Sequence, residues 1–215
     1  MSIQPRFLSH KLASTSNLAA AASSTPHTIE IYLDYVCRFS RIMFTNLYHN
    51  VLPAIADKFP DQAFVFVFRQ HVQPWHPSSP LVHEAAIAVE RLDPSKFWAF
   101  SDALFAVSPQ FYDEAVYDES RPQTYERLAD LAAKSVDIDK QAMLELLAVK
   151  PAVGEPTNAG NEISNDLKLF IRQARQTSIH VSPTVVVDGI VDNSFSSGWT
   201  VEQWLEKLEK IYTAN

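Results

Sequence analysis

The chain has 215 residues, 47% apolar, 20% charged and 11% aromatic, a globular composition that argues against a largely disordered protein. Eighteen basic against twenty-five acidic residues leave a net charge of −7, which disfavours nonspecific binding to nucleic acid or to an anionic membrane surface. Four glycines and the single cysteine, Cys37, leave no glycine-rich phosphate cradle, no intramolecular disulfide and no cysteine-rich metal site.

Residues 1–29 contain no Asp or Glu, carry Arg6 and Lys11, and include the Ser/Ala-rich stretch Ala13 to Ser24. Two readings fit: an organellar transit peptide, or a tail whose Arg6 to Leu12 portion lies on the domain while the Ser/Ala stretch links it. No secretory apolar region is present, so the expected location is the cytoplasm, with the mitochondrion as the alternative. No apolar run approaches the roughly 20 residues of a membrane span. Residues 1–27 are taken as the tail and 28–215 as one domain.

From Thr28 the pattern sharpens. Ile29, Ile31, Leu33 and Tyr35 alternate with Glu30, Tyr32 and Asp34, the period of a half-buried strand. Cys37-Arg38-Phe39-Ser40 follows, then an apolar helical stripe of Ile42, Met43, Leu47, Leu52 and Ile55, with a kink expected at Pro53. Ala63 to Phe68 is apolar on both faces, as a central buried strand is. Strand, helix and strand make one βαβ unit. After the loop Gln70 to Pro80, helical patterns run through Leu81–Leu92, Ser95–Val107, Pro122–Val136, Asp139–Val149 and Asn161–Thr177. Thr184 to Val187 returns to strand chemistry, Asp188-Gly189 signals a two-residue hairpin, and Thr200 with Gln203 caps a last amphipathic helix. The fold class is α/β, with a helical insertion at about 80–178 between a βαβ half and a ββα half. Residues 28–36 and 63–69 are predicted to be parallel, and 184–188 with 190–194 antiparallel, in one sheet.

A cysteine after the first strand at the start of a helix, with Val181-Ser182-Pro183-Thr184 opening a later strand, resembles the thioredoxin superfamily. The helical insertion and Phe68 to Ser79, with Pro74-Trp75-His76-Pro77, resemble its DsbA branch, whose architecture glutathione transferase kappa and 2-hydroxychromene-2-carboxylate isomerases share. The resemblance covers about residues 28–212. It implies a thioredoxin fold with Cys37 at the nucleophile position, Ser40 at the resolving position and Pro183 as a cis-proline facing the site. It further implies that the Ser182 backbone pairs with a peptide or with glutathione. Three departures matter. The site is C-x-x-S, Arg38 stands where proline is common, and Ile31 stands where many dithiol members carry a buried acid. A dithiol cycle is excluded.

A thiol becomes nucleophilic when its thiolate is stabilised. The helix start favours the anion, Arg38 and Arg41 add positive charge, and Ser40 is placed to donate a hydroxyl hydrogen bond. Phe39 and Trp75 are expected to contact substrate beside Ser182 and Pro183. Without a second thiol, a Cys37 mixed disulfide waits for an external thiol, for which glutathione is the obvious co-substrate. The leading expectation is therefore a single-thiol, glutathione-linked thiol–disulfide oxidoreductase or transferase. The alternatives are a redox-inactive thioredoxin-fold module binding a peptide, and a glutathione-dependent isomerase or transferase of small molecules. His71, His76 and His83 straddle a proline-rich loop without i, i+4 pairing, so no metal site is expected. His180 reads as a packing or capping histidine, and Glu84, Glu90 and Glu202 as solvated helix faces.

Overall fold

The computed structural model describes residues 3–13, 25–60 and 63–214. Strand β1 is Lys11–Ala13, β2 His27–Leu33, β3 Phe64–Gln70, β4 Thr184–Val187 and β5 Ile190–Val191. They form one sheet in the order β1-β3-β2-β4-β5, in which only β2 and β3 are parallel. Ile29 pairs with Phe66 and Ile31 with Phe68, so alternate residues of both strands share one face. That face is the main core. It joins Ile29, Ile31 and Leu33 to Phe64, Phe66 and Phe68, and runs on without a break into the helices.

Helix α1 is Arg38–Asn46 and α2 is Leu52–Lys58, with a π-helical turn, Leu47–Val51, between them. Pro53 lies in the first turn of α2, where its missing N–H is harmless, and the wider turn before it spares the ring a clash with the preceding carbonyls. The five helices of the middle segment are α3 Ser79–Leu92, α4 Phe97–Val107, α5 Arg121–Val136, α6 Lys140–Leu147 and α7 Ser164–Gln176. Phe97, Phe100 and Leu104 point inward from α4, as their spacing predicts, and belong to the same core as the sheet. The hairpin turns at Asp188 and Gly189, whose φ angles of 48° and 88° are those of a primed turn. Helix α8, Val201–Thr213, begins with the capping box of Thr200 and Gln203.

Arg6 to Leu12 lie on the domain, as one of the two readings of the N-terminus has it, but residues 5–13 do so as regular structure that the sequence reading did not foresee. Pro5–His10 forms a 3-10 turn that buries Phe7 and His10, and β1 pairs antiparallel with β3. The Ser/Ala stretch 14–24 lies outside the described residues. Glu84 and Glu90 are buried rather than solvated. Glu84 receives Tyr125 Oη and, at 3.1 Å, Arg121 Nη2, while Glu90 receives Ser9 Oγ and lies 3.2 Å from His10 Nδ1. Their partners come from α5 and from the N-terminal segment, which helical spacing alone does not reveal. β2 is buried on both faces rather than half-buried: Glu30 and Arg69 form a further buried ion pair at 2.6 Å on the opposite sheet face, which α7 covers and where Arg69 also reaches Gln173.

Candidate active site

Cys37 is the N-cap residue of α1 and is 7% exposed. Its extended backbone turns the chain out of β2, through the Asp34 carbonyl that accepts the Cys37 N–H at 3.1 Å. The thiol stands before the free N–H groups of the first turn, which favour negative charge on sulfur. On its other side the Sγ–H donates to the Ser182 carbonyl at 3.4 Å. A carbonyl is an acceptor and pairs only with the S–H. The Ser182–Pro183 peptide is cis.

Beneath Cys37 lies Asp34, fully buried. Its Oδ1 accepts the Val36 N–H at 2.9 Å, and its Oδ2 accepts the Gln73 N–H at 2.7 Å and the Ser79 hydroxyl at 2.6 Å. His83 Nε2 faces Oδ1 at 3.7 Å. Burial by itself would raise this carboxyl, but His83, Ser79 and the Val36 N–H outweigh it and hold Asp34 below its ordinary value of 3.8. The anion thus ties the Cys37 turn to the loop after β3. Ser78 extends the tie, donating at 2.6 Å to the Phe111 carbonyl in the connection between α4 and α5.

Between these segments is an open cavity of about 390 Å3. Its walls include Cys37, Arg38, Phe39, Trp75 and Ser182, so five of the expected residues come together. Phe39 and Trp75 are both about half exposed, and the Arg38 guanidinium lies 4.6 Å from the Phe39 ring centre. His76 stands at the rim, its Nδ1 3.1 Å from Asp113 of the helical segment. Pro183 follows Ser182 without lining the cavity, and Arg41 does not line it either. Neither Arg38 nor Arg41 makes a hydrogen bond to the sulfur.

Ser40 corrects an expectation. Its side chain is fully buried, its Oγ accepts the Asp34 N–H at 3.3 Å, and no hydrogen bond joins it to Cys37 Sγ. The helix turns the hydroxyl under the β2 exit rather than toward the thiol. Sequence reasoning missed Asp34, Gln73, and Tyr112 to Glu114. The signal for Asp34 was present: a carboxylate directly after β2, three residues before the cysteine. Tyr112 to Glu114 carry no such signal. Among the described residues no group of three His, Cys, Asp or Glu side chains is placed to hold a metal ion, and no helix is long and apolar enough to cross a membrane.

Neither a family model nor a curated protein matches the sequence. Solved structures do match the fold. One from Pseudomonas syringae, provisionally assigned as a protein-disulfide isomerase, is 23% identical with a TM-score of 0.67, over 85% of this chain and 93% of that one. Oxidised BdbD from Bacillus subtilis is 23% identical with a TM-score of 0.61, over 90% and 91%. The thiol-disulfide oxidoreductase MdbA from Actinomyces oris is 17% identical with a TM-score of 0.60, over 94% and 88%. The chain has the DsbA-like thioredoxin fold. At these identities the DsbA-like fold is what is shared, and function rests on the residues at Cys37.

Proposed function

We propose that this protein is a single-thiol, glutathione-linked thiol–disulfide oxidoreductase, with Cys37 as nucleophile. The observation that carries this reading is the thiol at the first turn of α1, on the wall of an open cavity, against the Ser182 main chain. In the first step Cys37 Sγ attacks a mixed disulfide R–S–S–G. The new Cys37–glutathione S–S bond forms, the S–S bond of the substrate breaks, and the thiol proton ends on the departing R–SH. A second glutathione thiol then attacks the Cys37 adduct, releasing oxidised glutathione and restoring the cysteine. The net exchange reduces R and oxidises glutathione. Ser40 cannot resolve the adduct internally, because an alcohol does not exchange with a disulfide. Phe39 and Trp75 offer apolar walls to the substrate, and Arg38 supplies positive charge.

The second reading, a binding module without redox activity, is favoured by one observation: the thiol is nearly covered and engaged by a carbonyl. Intact-mass measurement after incubation with oxidised glutathione separates the two. Gain of one glutathionyl group by the native protein, and none by Cys37→Ser, is expected. No gain by the native protein would leave the binding module.

A further inference from the structure

We propose that a second cleft, on the far side of Trp75 from Cys37, is a carboxylate subsite that holds the charged end of a small-thiol substrate. The inference rests on the reading of Cys37 just given and adds where such a substrate is gripped. The cleft has a volume of about 340 Å3 and is walled by the loop after β3, by α7 and by the strap that leads into Ser182. Trp75 belongs to both cavities, and His180 of this cleft is two residues from Ser182 of the other. A ligand bonded at Cys37 has only to pass Trp75 to enter it.

The cleft is built for an anion. His71 is 6% exposed, lines the cleft, and has no hydrogen-bond partner for either ring nitrogen. Burial and the nearby His83 hold it below its ordinary value of 6.5, against the pull of Asp34 and of the His180 carbonyl, which stands near without completing a hydrogen bond. A neutral imidazole always carries one N–H donor. Left unmade in a buried place, that hydrogen bond is a cost which an incoming acceptor removes. Asp34 is the carboxylate that bears on His71, and it is already engaged by Val36, Gln73 and Ser79. Arg175 and His180 are exposed at the rim, and no Asp or Glu lines the cleft. Arg175 has no hydrogen bond or ion pair of its side chain among the described residues, which leaves its planar fork open. One guanidinium with one imidazole donor suits a singly charged carboxylate better than a dianion.

The test uses Cys37→Ser protein, so that binding is read without exchange, and two probes: S-methylglutathione and its dimethyl ester. The acid is expected to bind about tenfold or more tightly than the ester, as loss of one charge-assisted hydrogen bond implies. The His71 ring resonances should shift with the acid. Arg175→Ala, a surface change that leaves the core intact, should abolish the preference, and His71→Leu should weaken it. Equal affinity for acid and ester, or no binding of either, would overturn the subsite. The adduct experiment on native protein is independent of this one. An adduct without acid preference defeats the subsite alone, and acid preference without an adduct defeats the exchange reading alone.

Discussion

Asp34 is the most exacting residue to perturb, because its carboxylate joins the Cys37 turn to the Gln73 loop across the cavity. In Asp34→Asn one oxygen becomes an NH2 group. If the remaining oxygen keeps the Gln73 N–H and the Ser79 hydroxyl, the new NH2 meets the Val36 N–H, donor against donor. One charge-assisted hydrogen bond is lost, at about 1.5–3 kcal/mol, and a buried N–H is left unpaired, so the expected loss is about 2–4 kcal/mol. Turning the amide over is no escape, since its NH2 then faces the Gln73 N–H and leaves that group only its 3.2 Å hydrogen bond to Ser79 Oγ.

The acid dependence gives an independent reading. The folded-state value of Asp34 lies below its ordinary 3.8. A depressed carboxyl contributes stability that is fully present above the unfolded value and lost as pH falls through the folded one. The native protein and Asp34→Asn should therefore differ most at neutral pH and converge below pH 3.8. Denaturant midpoints at pH 7 and at several values between pH 4 and pH 2 measure this. A difference under about 0.5 kcal/mol at pH 7, the scale of an ordinary surface change, or one that stays constant into acid, would refute the reasoning.

Ser40→Ala should cost about 1–3 kcal/mol, because it strands the buried Asp34 N–H, yet change the alkylation rate of Cys37 little; a large slowing would return the hydroxyl to a thiolate-stabilising role. Deleting residues 1–13 should destabilise the fold by roughly 3–6 kcal/mol, the combined cost of unburying Phe7 and orphaning the partners of His10, as read in a thermal or denaturant melt. His71, lowered from 6.5 by burial, makes the unfolded chain take up its proton first, so stability should fall as pH drops below 6.5. The limiting slope from that one group is about 1.4 kcal/mol per pH unit, and His71→Leu should remove it from melts compared at pH 7 and pH 5.

The elements that rest on a local period were legible in the sequence. The alternation of β2, the apolar run of β3, the Asp188-Gly189 turn and the Thr200–Gln203 cap all report short-range physics, and all appear as predicted. So did the gathering of Cys37, Phe39, Trp75 and Ser182 about one cavity, although that came from resemblance and not from spacing. What stayed hidden depends on partners far along the chain. Glu90 looks solvated until His10, eighty residues earlier, is laid against it. Lys11–Ala13 has no readable strand period in three residues, and becomes a strand only because β3 offers an open edge. Ser40 shares a helix with Cys37, but which way its hydroxyl points is decided by the Asp34 N–H.

The buried polar groups show what fixes the cavity's shape. His83 Nδ1 donates to Gln70 Oε1, which leaves Gln70 Nε2 to donate to His10 Nε2 at 3.3 Å, and turns His10 Nδ1 toward Glu90. With Asp34 facing His83, this line crosses a core otherwise filled with stacked and tilted aromatic rings, such as Tyr35 on Phe68 and His10 on Phe97. Apolar side chains of similar volume could supply equal stability there, since buried charges and dipoles lose much of what they gain to desolvation. They could not supply direction. Aromatic packing tolerates small shifts of one element past another, whereas the two hydrogen bonds within this line, His83 to Gln70 and Gln70 to His10, each have a donor, an acceptor and a narrow distance. The end of the line is the Asp34 carboxylate, whose two oxygens bind the Val36 N–H of the Cys37 turn and the Gln73 N–H, and Val36, Cys37 and Gln73 all line the cavity. The N-terminal segment that carries His10 thus reaches through Gln70 and His83 toward Asp34, although no residue of that segment lines the cavity.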